Sequence, residues 1–112
     1  MSLSSEKIGA ILVVSAGGQI NSANAAEVES ALLAWVEQGE RQCVLDLGSL
    51  DYISSAGLRV ILMLAKRLKQ NSGKLILCGL QPQVKEVFDI SGFLTILSVV
   101  DDRATALAQI GA

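Results

Sequence analysis

Histidine is absent from the 112-residue chain, and that absence excludes more chemistry than any residue present supports. No Ser-His-Asp or Cys-His arrangement can form within it, and no histidine is there to ligate a metal. Cysteine is scarce. Cys43 and Cys78 each lie inside an apolar run, far apart and without metal-ligand spacing, so both read as buried, reduced thiols. A basic run is also missing: 9 Lys and Arg stand against 11 Asp and Glu for a net charge of −2, so no nucleic acid is expected as a partner. No apolar stretch reaches the roughly 20 residues of a membrane span, and the N-terminus has no charged segment followed by a hydrophobic core and cleavage site. A cytoplasmic protein without direct membrane insertion is expected. Neither GxGxxG nor GxxxxGK[ST] occurs, so Gly17-Gly18 reads as turn geometry rather than a phosphate cradle. No cofactor, metal or catalytic activity is expected.

Half of the chain is apolar, enough for residues 1–112 to fold as one domain without staples; residues 1–4 are expected to be flexible or a remnant of cloning. Ile8 to Val14 is rich in branched residues, and Gly9 is placed to split it into a short hairpin. Ala16-Gly17-Gly18 breaks the pattern. Asn24 and Glu27 have the spacing of a capping pair for a first helix, in which Val28, Leu32 and Trp35 share a face and which ends near Gly39. Cys43 to Leu47 predicts a buried strand, followed by a loop from Gly48 to Ser54. A second helix carries Leu58, Ile61, Leu62, Ala65 and Leu68 inward and closes at Asn71-Ser72-Gly73. Leu75 to Cys78 predicts another strand, and Pro82 suits the first turn of a third helix that buries Val84, Val87 and Phe88. A strand over Ile96 to Val100 and a last helix capped by Asp101 complete the order. Alternating helices and strands imply an α/β fold: a mixed, mostly parallel sheet of four to five strands with about four helices.

Ser54-Ser55-Ala56-Gly57-Leu58 sits where the chain turns from loop into the second helix. Unsatisfied backbone N–H groups and the positive dipole end favour an anion there, so geometry already present would hold a phosphate on a serine. Serine is also a common N-cap, and position alone leaves both readings open.

The run Val44-Leu45-Asp46-Leu47, followed by Leu50-Asp51-Tyr52-Ile53-Ser54-Ser55-Ala56-Gly57-Leu58, resembles the signature of STAS domains of the bacterial anti-sigma-factor antagonist type. Gly18-Gln19-Ile20-Asn21 is similar to the family's segment before its first helix, and Cys78 to Gly92 to its third-helix segment. The resemblance therefore spans nearly the whole chain as a single STAS domain. It places the family's phosphoacceptor on Ser55, with Asn21, Asp46, Ser54, Ala56 and Gly57 as its neighbourhood. Asn21 and Ser54 stand where the family carries aspartates, and Ala56 replaces a small hydroxyl residue, which leaves the pocket less acidic. Asp46 has a second reading, as a side chain that bonds loop amides. The function implied is a partner switch: the unphosphorylated protein binds an anti-sigma factor that is also a serine kinase, phosphorylation releases it, and a serine phosphatase resets the cycle.

The alternative within the family is a STAS subunit of a transporter or signalling scaffold without a phosphorylation switch. A phospho-aspartate receiver shares the alternating architecture but needs an acidic pair after its first strand, and Val13 to Gly18 holds no carboxylate. On the second helix, Val60, Met63 and Leu64 add apolar surface beyond the core stripe, so Val60 and Met63 are candidate partner contacts, unless a neighbouring helix covers Val60 and Leu64.

Overall fold

The hairpin at Gly9 and the alternation that follows it are both present in a computed structural model, which describes residues 1–111. Strand β1 (Ser2–Ile8) turns at Gly9, whose φ of +60° suits a residue without a side chain, into β2 (Ile11–Ile20). Then come α1 (Ala25–Glu37), β3 (Gln42–Ile53), α2 (Ser55–Gln70), β4 (Lys74–Cys78) and α3 (Pro82–Ile90). A 3-10 turn (Phe93–Thr95), β5 (Ser98–Val100) and α4 (Arg103–Ile110) finish the chain. The sheet has the order β1-β2-β3-β4-β5, with β1 antiparallel to β2 and every other pair parallel.

Because side chains alternate across a strand, the sheet has two apolar faces. Leu12, Val14 and Ala16 of β2 and Cys43, Leu45 and Leu47 of β3 join the large core built with α1, α2 and α3. Val13, Val44, Ile76 and Cys78 face the other way and meet Ala106 and Ile110 of α4. Burying a side chain such as Phe88, which is completely inaccessible, contributes about 1.5–3 kcal/mol.

The structure corrects several expectations, each for a physical reason. Ser2 to Ser4 are paired with Gly17 to Ser15 of β2 as part of β1. The Gly48–Ser54 stretch is not a loop: β3 runs on to Ile53, because Leu50 and Ile53 are buried and Ser49 to Ile53 pair with Gly17 to Ile20. Gly17 and Gly18 accordingly lie within β2, at two register shifts, rather than in a turn. A Cβ on Gly17 would come within 2.9 Å of Ser2 Oγ, whose exposed side chain can move aside, whereas Gly18 has φ +85° and a Cβ there would come within 3.3 Å of the Met1 backbone, so it is at Gly18 that this irregular edge of the ladder favours glycine. Strand β5 is shorter than expected, since Ile96 is 68% exposed and its N–H closes the 3-10 turn onto Phe93. The cap of α4 is Asp102, whose carboxylate accepts from the Thr105 N–H at 2.8 Å, and not Asp101. The Thr105 side chain, and after it the Thr105 N–H, holds the Asp102 carboxyl below its ordinary pKa by hydrogen bonding to the carboxylate.

The face of α2 also differs in detail. Val60 and Leu64 are buried together with Leu58, Ile61 and Leu68, while Leu62 and Ala65 are only half-buried. Helices α1 and α2 pack against each other, which rotates the buried stripe toward Val60. Val60 is thus inside the free domain and does not offer a partner contact; Met63 stays partly exposed.

Candidate functional site

Ile20 and Ile53, the last residues of β2 and β3, are paired neighbours, and the chain leaves β3 directly into α2. Ser54 occupies the corner in an extended conformation, φ −88° and ψ 173°. Its N–H donates to the Ile20 carbonyl at 2.9 Å, and its Oγ accepts from the Gly57 N–H at 3.2 Å. Ser54 is therefore the N-cap, and the capping reading of this serine pair belongs to it. Ser55 is the first helical residue and is exposed.

Ala56 is half-buried against the core, and Gly57 is buried beneath the helix start. A Cβ on Gly57 would stand 2.6 Å from Ile53 Cγ1 and 2.8 Å from Ile20 Cγ2, so glycine lets the first turn of α2 settle onto these strand ends. The first turn contains no acidic residue, which leaves its positive dipole end uncompensated. Arg59 follows Ser55 by four residues on the same helix face and is exposed, and Met63 follows after four more. A phosphate on Ser55 would meet free N–H groups at the helix start and a guanidinium one turn away.

The neighbours named by resemblance divide. Asn21 lies at the site, directly after Ile20, but its side chain serves its own loop: Oδ1 accepts from the N–H of Ala23 at 2.9 Å and of Asn24 at 3.3 Å. The Asn24 side chain points back, accepting from the Asn21 N–H and donating to the Gln19 carbonyl, both at 2.9 Å. It makes no cap bond, so the Asn24–Glu27 capping pair is replaced by this reciprocal Asn21–Asn24 arrangement.

Asp46 is not brought to Ser55. It shares the sheet face of Val44, and its Oδ2 takes Arg103 Nε at 3.0 Å and Nη2 at 2.9 Å, while Oδ1 accepts from the Gly48 N–H at 2.9 Å. Arg103 also reaches Glu6 at 2.7 Å and Ser15 Oγ at 3.0 Å, tying α4 to β1, β2 and β3. The hydrogen bond that Arg103 donates to Asp46 raises the Arg103 pKa above its ordinary value. Asp46 thus bonds a nearby backbone amide, as its second reading expected, but that amide belongs to Gly48 within β3 and not to a loop, and the carboxylate also docks α4.

Tyr52 was missed by sequence reasoning. It is 48% exposed on the last stretch of β3, opposite Gln19 of β2 and two residues before the cap, where a loop was expected. Leu50 and Ile53 are both buried although three residues apart, because the ladder shifts register between Gly18 and Gln19, and it is this irregularity, which simple strand alternation does not foresee, that turns Tyr52 outward.

Both thiols are buried, Cys43 on the α1–α2 side and Cys78 on the α4 side. Burial pushes each pKa from 9.0 up to about 11, reinforced by Glu40 at Cys43 and by Asp46 at Cys78. The neutral thiol is the form favoured by folding, so this stabilisation is complete below pH 9 and is lost as pH rises toward about 11. Native protein at pH 8 is expected to react with a thiol-specific disulfide reagent only on the timescale of unfolding, as an absorbance time course in and out of denaturant would show; rapid native labelling of either cysteine would contradict this.

Among the described residues no helix is long and apolar enough to cross a membrane. Comparison with known proteins agrees with the architecture. The STAS domain family model matches residues 2–106. BtrV of Bordetella bronchiseptica, named as an anti-sigma factor antagonist, is 55% identical over 108 residues, covering 96% of this chain and 93% of its own. An anti-sigma F factor antagonist of Paenibacillus polymyxa is 36% identical over 73 residues, 62% of each chain. In structure, an anti-sigma factor antagonist from Thermotoga maritima superposes with a TM-score of 0.94 at 17% identity, over 98% of this chain and 95% of that one. The phosphorylated form of Bacillus SpoIIAA superposes with a TM-score of 0.75 at 17% identity, over 97% and 99%. With a five-stranded mixed sheet and four α-helices among its described residues and a family match over nearly its whole length, this chain belongs to the STAS domain family.

Proposed function

We propose that this STAS domain is a cytoplasmic anti-sigma factor antagonist that works as a partner switch and not as an enzyme. The observation that carries the reading is Ser55: an exposed hydroxyl at the first position of α2, beside a cap already supplied by Ser54 and in a first turn without carboxylates. The names of its relatives as antagonists support the same class of partner. In this reading unphosphorylated Ser55 lies within the surface that binds an anti-sigma factor with serine kinase activity. Phosphorylation of Ser55 by that kinase separates the pair, and a serine phosphatase restores binding.

Capture from the native cell on unphosphorylated protein tests this directly. A kinase-like anti-sigma factor retained by the wild type is the expected result. Recovery of a membrane transporter or a scaffold without phosphorylation would instead support the other role STAS domains serve.

Met63 lies two turns beyond Ser55 on the same side of α2 and is partly exposed, which extends the contact surface along the helix. Met63→Lys is expected to weaken that complex about tenfold, or about 1.4 kcal/mol, without unfolding the domain. Isothermal titration against the captured partner checks the value, and unchanged affinity removes Met63 from the interface.

A further inference from the structure

At the other end of α2 from Ser55, an open groove of about 530 Å³ runs between the helix and the beginnings of β4 and β5. Apolar side chains of Leu62, Leu75 and Ile96 line it together with Lys66, Lys69 and Lys74, and no acidic residue is among the lining residues. Ile96 is 68% exposed there, among the most exposed large apolar side chains of the described residues.

Lys69 lies in the last turn of α2 and suits the helix dipole, but Lys66 lies outside the basic pair of that turn, and Lys74 belongs to β4. Lys66 and Lys69, three residues apart, are neighbours on the helix surface, so like charges gather beside these apolar side chains, where they repel one another. Carboxylates brought by a ligand would relieve that repulsion, while its apolar side chains would cover Ile96 and Leu75.

We propose that this groove is a second docking site, for a polypeptide segment of a partner that combines leucine-like side chains with flanking Asp and Glu. The groove is open to solvent and not an enclosed cavity, which fits a chain segment laid across it rather than a small ligand enclosed on all sides. Lys69 follows Ser55 by fourteen residues, placing it about 20 Å away along the helix axis, beyond the screening length of about 8 Å at physiological salt. The groove therefore binds independently of phosphate on Ser55, and a partner engaging both surfaces would stay tethered when the Ser55 contact is broken.

Panning a random peptide library on the full-length protein tests the proposal, with selected peptides measured by fluorescence anisotropy. Enriched sequences are expected to pair acidic with large apolar residues. Their binding is expected to fall at least tenfold in the exposed double variant Lys66→Glu/Lys69→Glu, to weaken with added salt, and to survive Ser55→Asp unchanged. Amide shifts of Leu62, Leu75 and Ile96 on peptide addition would locate the site. Enrichment without acidic bias, or acidic peptides that bind the double variant equally well, would overturn the proposal. Displacement of the peptides by dodecanoate at comparable concentration would make the occupant a fatty acid and overturn it as well. Because Ser55→Asp leaves these readouts unmoved, failure here is distinguishable from failure of the switch.

Discussion

Ser55→Asp is expected to weaken binding of the anti-sigma partner by about a hundredfold, or roughly 3 kcal/mol, while the free domain keeps its circular dichroism spectrum and gains slightly in thermal stability. The two effects have opposite signs for one reason. In the free domain a negative group at the first turn of α2 faces unpaired N–H groups and a positive dipole end with no acidic residue to compensate it, which is worth about 0.3–1 kcal/mol. In the complex the same charge must shed water against the partner surface, and desolvating an unmatched ion costs several kcal/mol. Phosphate, with about −1.5 to −2 charges at neutral pH, acts in the same direction and more strongly. Ser55→Ala removes the acceptor without adding charge, so it is expected to bind constitutively and to resist labelling. A fall in melting temperature on Ser55→Asp, matching the lost affinity, would mean that binding fails through unfolding, contrary to this account.

Gly57→Ala is expected to destabilise the domain by up to about 2 kcal/mol, the reverse of the usual effect inside a helix. Alanine gains about 1 kcal/mol of helix propensity over glycine. Against that, its methyl would sit 2.6 Å from Ile53 Cγ1 and 2.8 Å from Ile20 Cγ2, and both isoleucines are almost wholly buried. Neither side chain has open space to swing into, and overpacking of this kind costs typically 1–3 kcal/mol and occasionally more. The shift needed to relieve it lifts the first turn of α2 and with it Ser55, so partner affinity should fall as well. Truncating Ile20 to alanine in the Gly57→Ala background should cost less than the two single changes summed, because the cavity receives the new methyl. Chemical denaturation of the four variants measures this; additive effects, or a stabilised Gly57→Ala, would show that the contact is not tight.

The parts of the fold that were legible in the sequence are those where local chemistry and tertiary packing agree. The spacing of Leu58, Ile61 and Leu68, Pro82 at the first turn of α3 and the branched run after Gly9 each specify their element without reference to distant residues. Gly48 to Ile53 was illegible because its glycine, serine and aspartate read as a loop, while its strand character comes from pairing with β2. Val60 was ambiguous for a related reason: a helical projection shows which side it is on, and only the packing of α1 against α2 makes that side interior.

The candidate site shows the same division. Ser54 and Ser55 were placed at the helix start by sequence, and the structure assigns capping to Ser54 and exposure to Ser55. Asp46 was assigned to the neighbourhood by the family resemblance, yet it shares a strand face with Val44 and turns to Arg103, fifty-seven residues away. Strand alternation alone would have separated it from Leu45 and Leu47; its partner in α4 had no signal in the local sequence.

Mass spectrometry of the phosphorylated protein distinguishes Ser55 from every other acceptor of the regulatory phosphate. The protein would be incubated with the kinase-like anti-sigma factor captured from its own cell, then digested and the modified residue located. The account predicts phosphate on Ser55, with Ser54 unmodified because its Oγ is engaged in capping α2. Phosphate on Ser54 with Ser55 bare, or none on either serine, would contradict it.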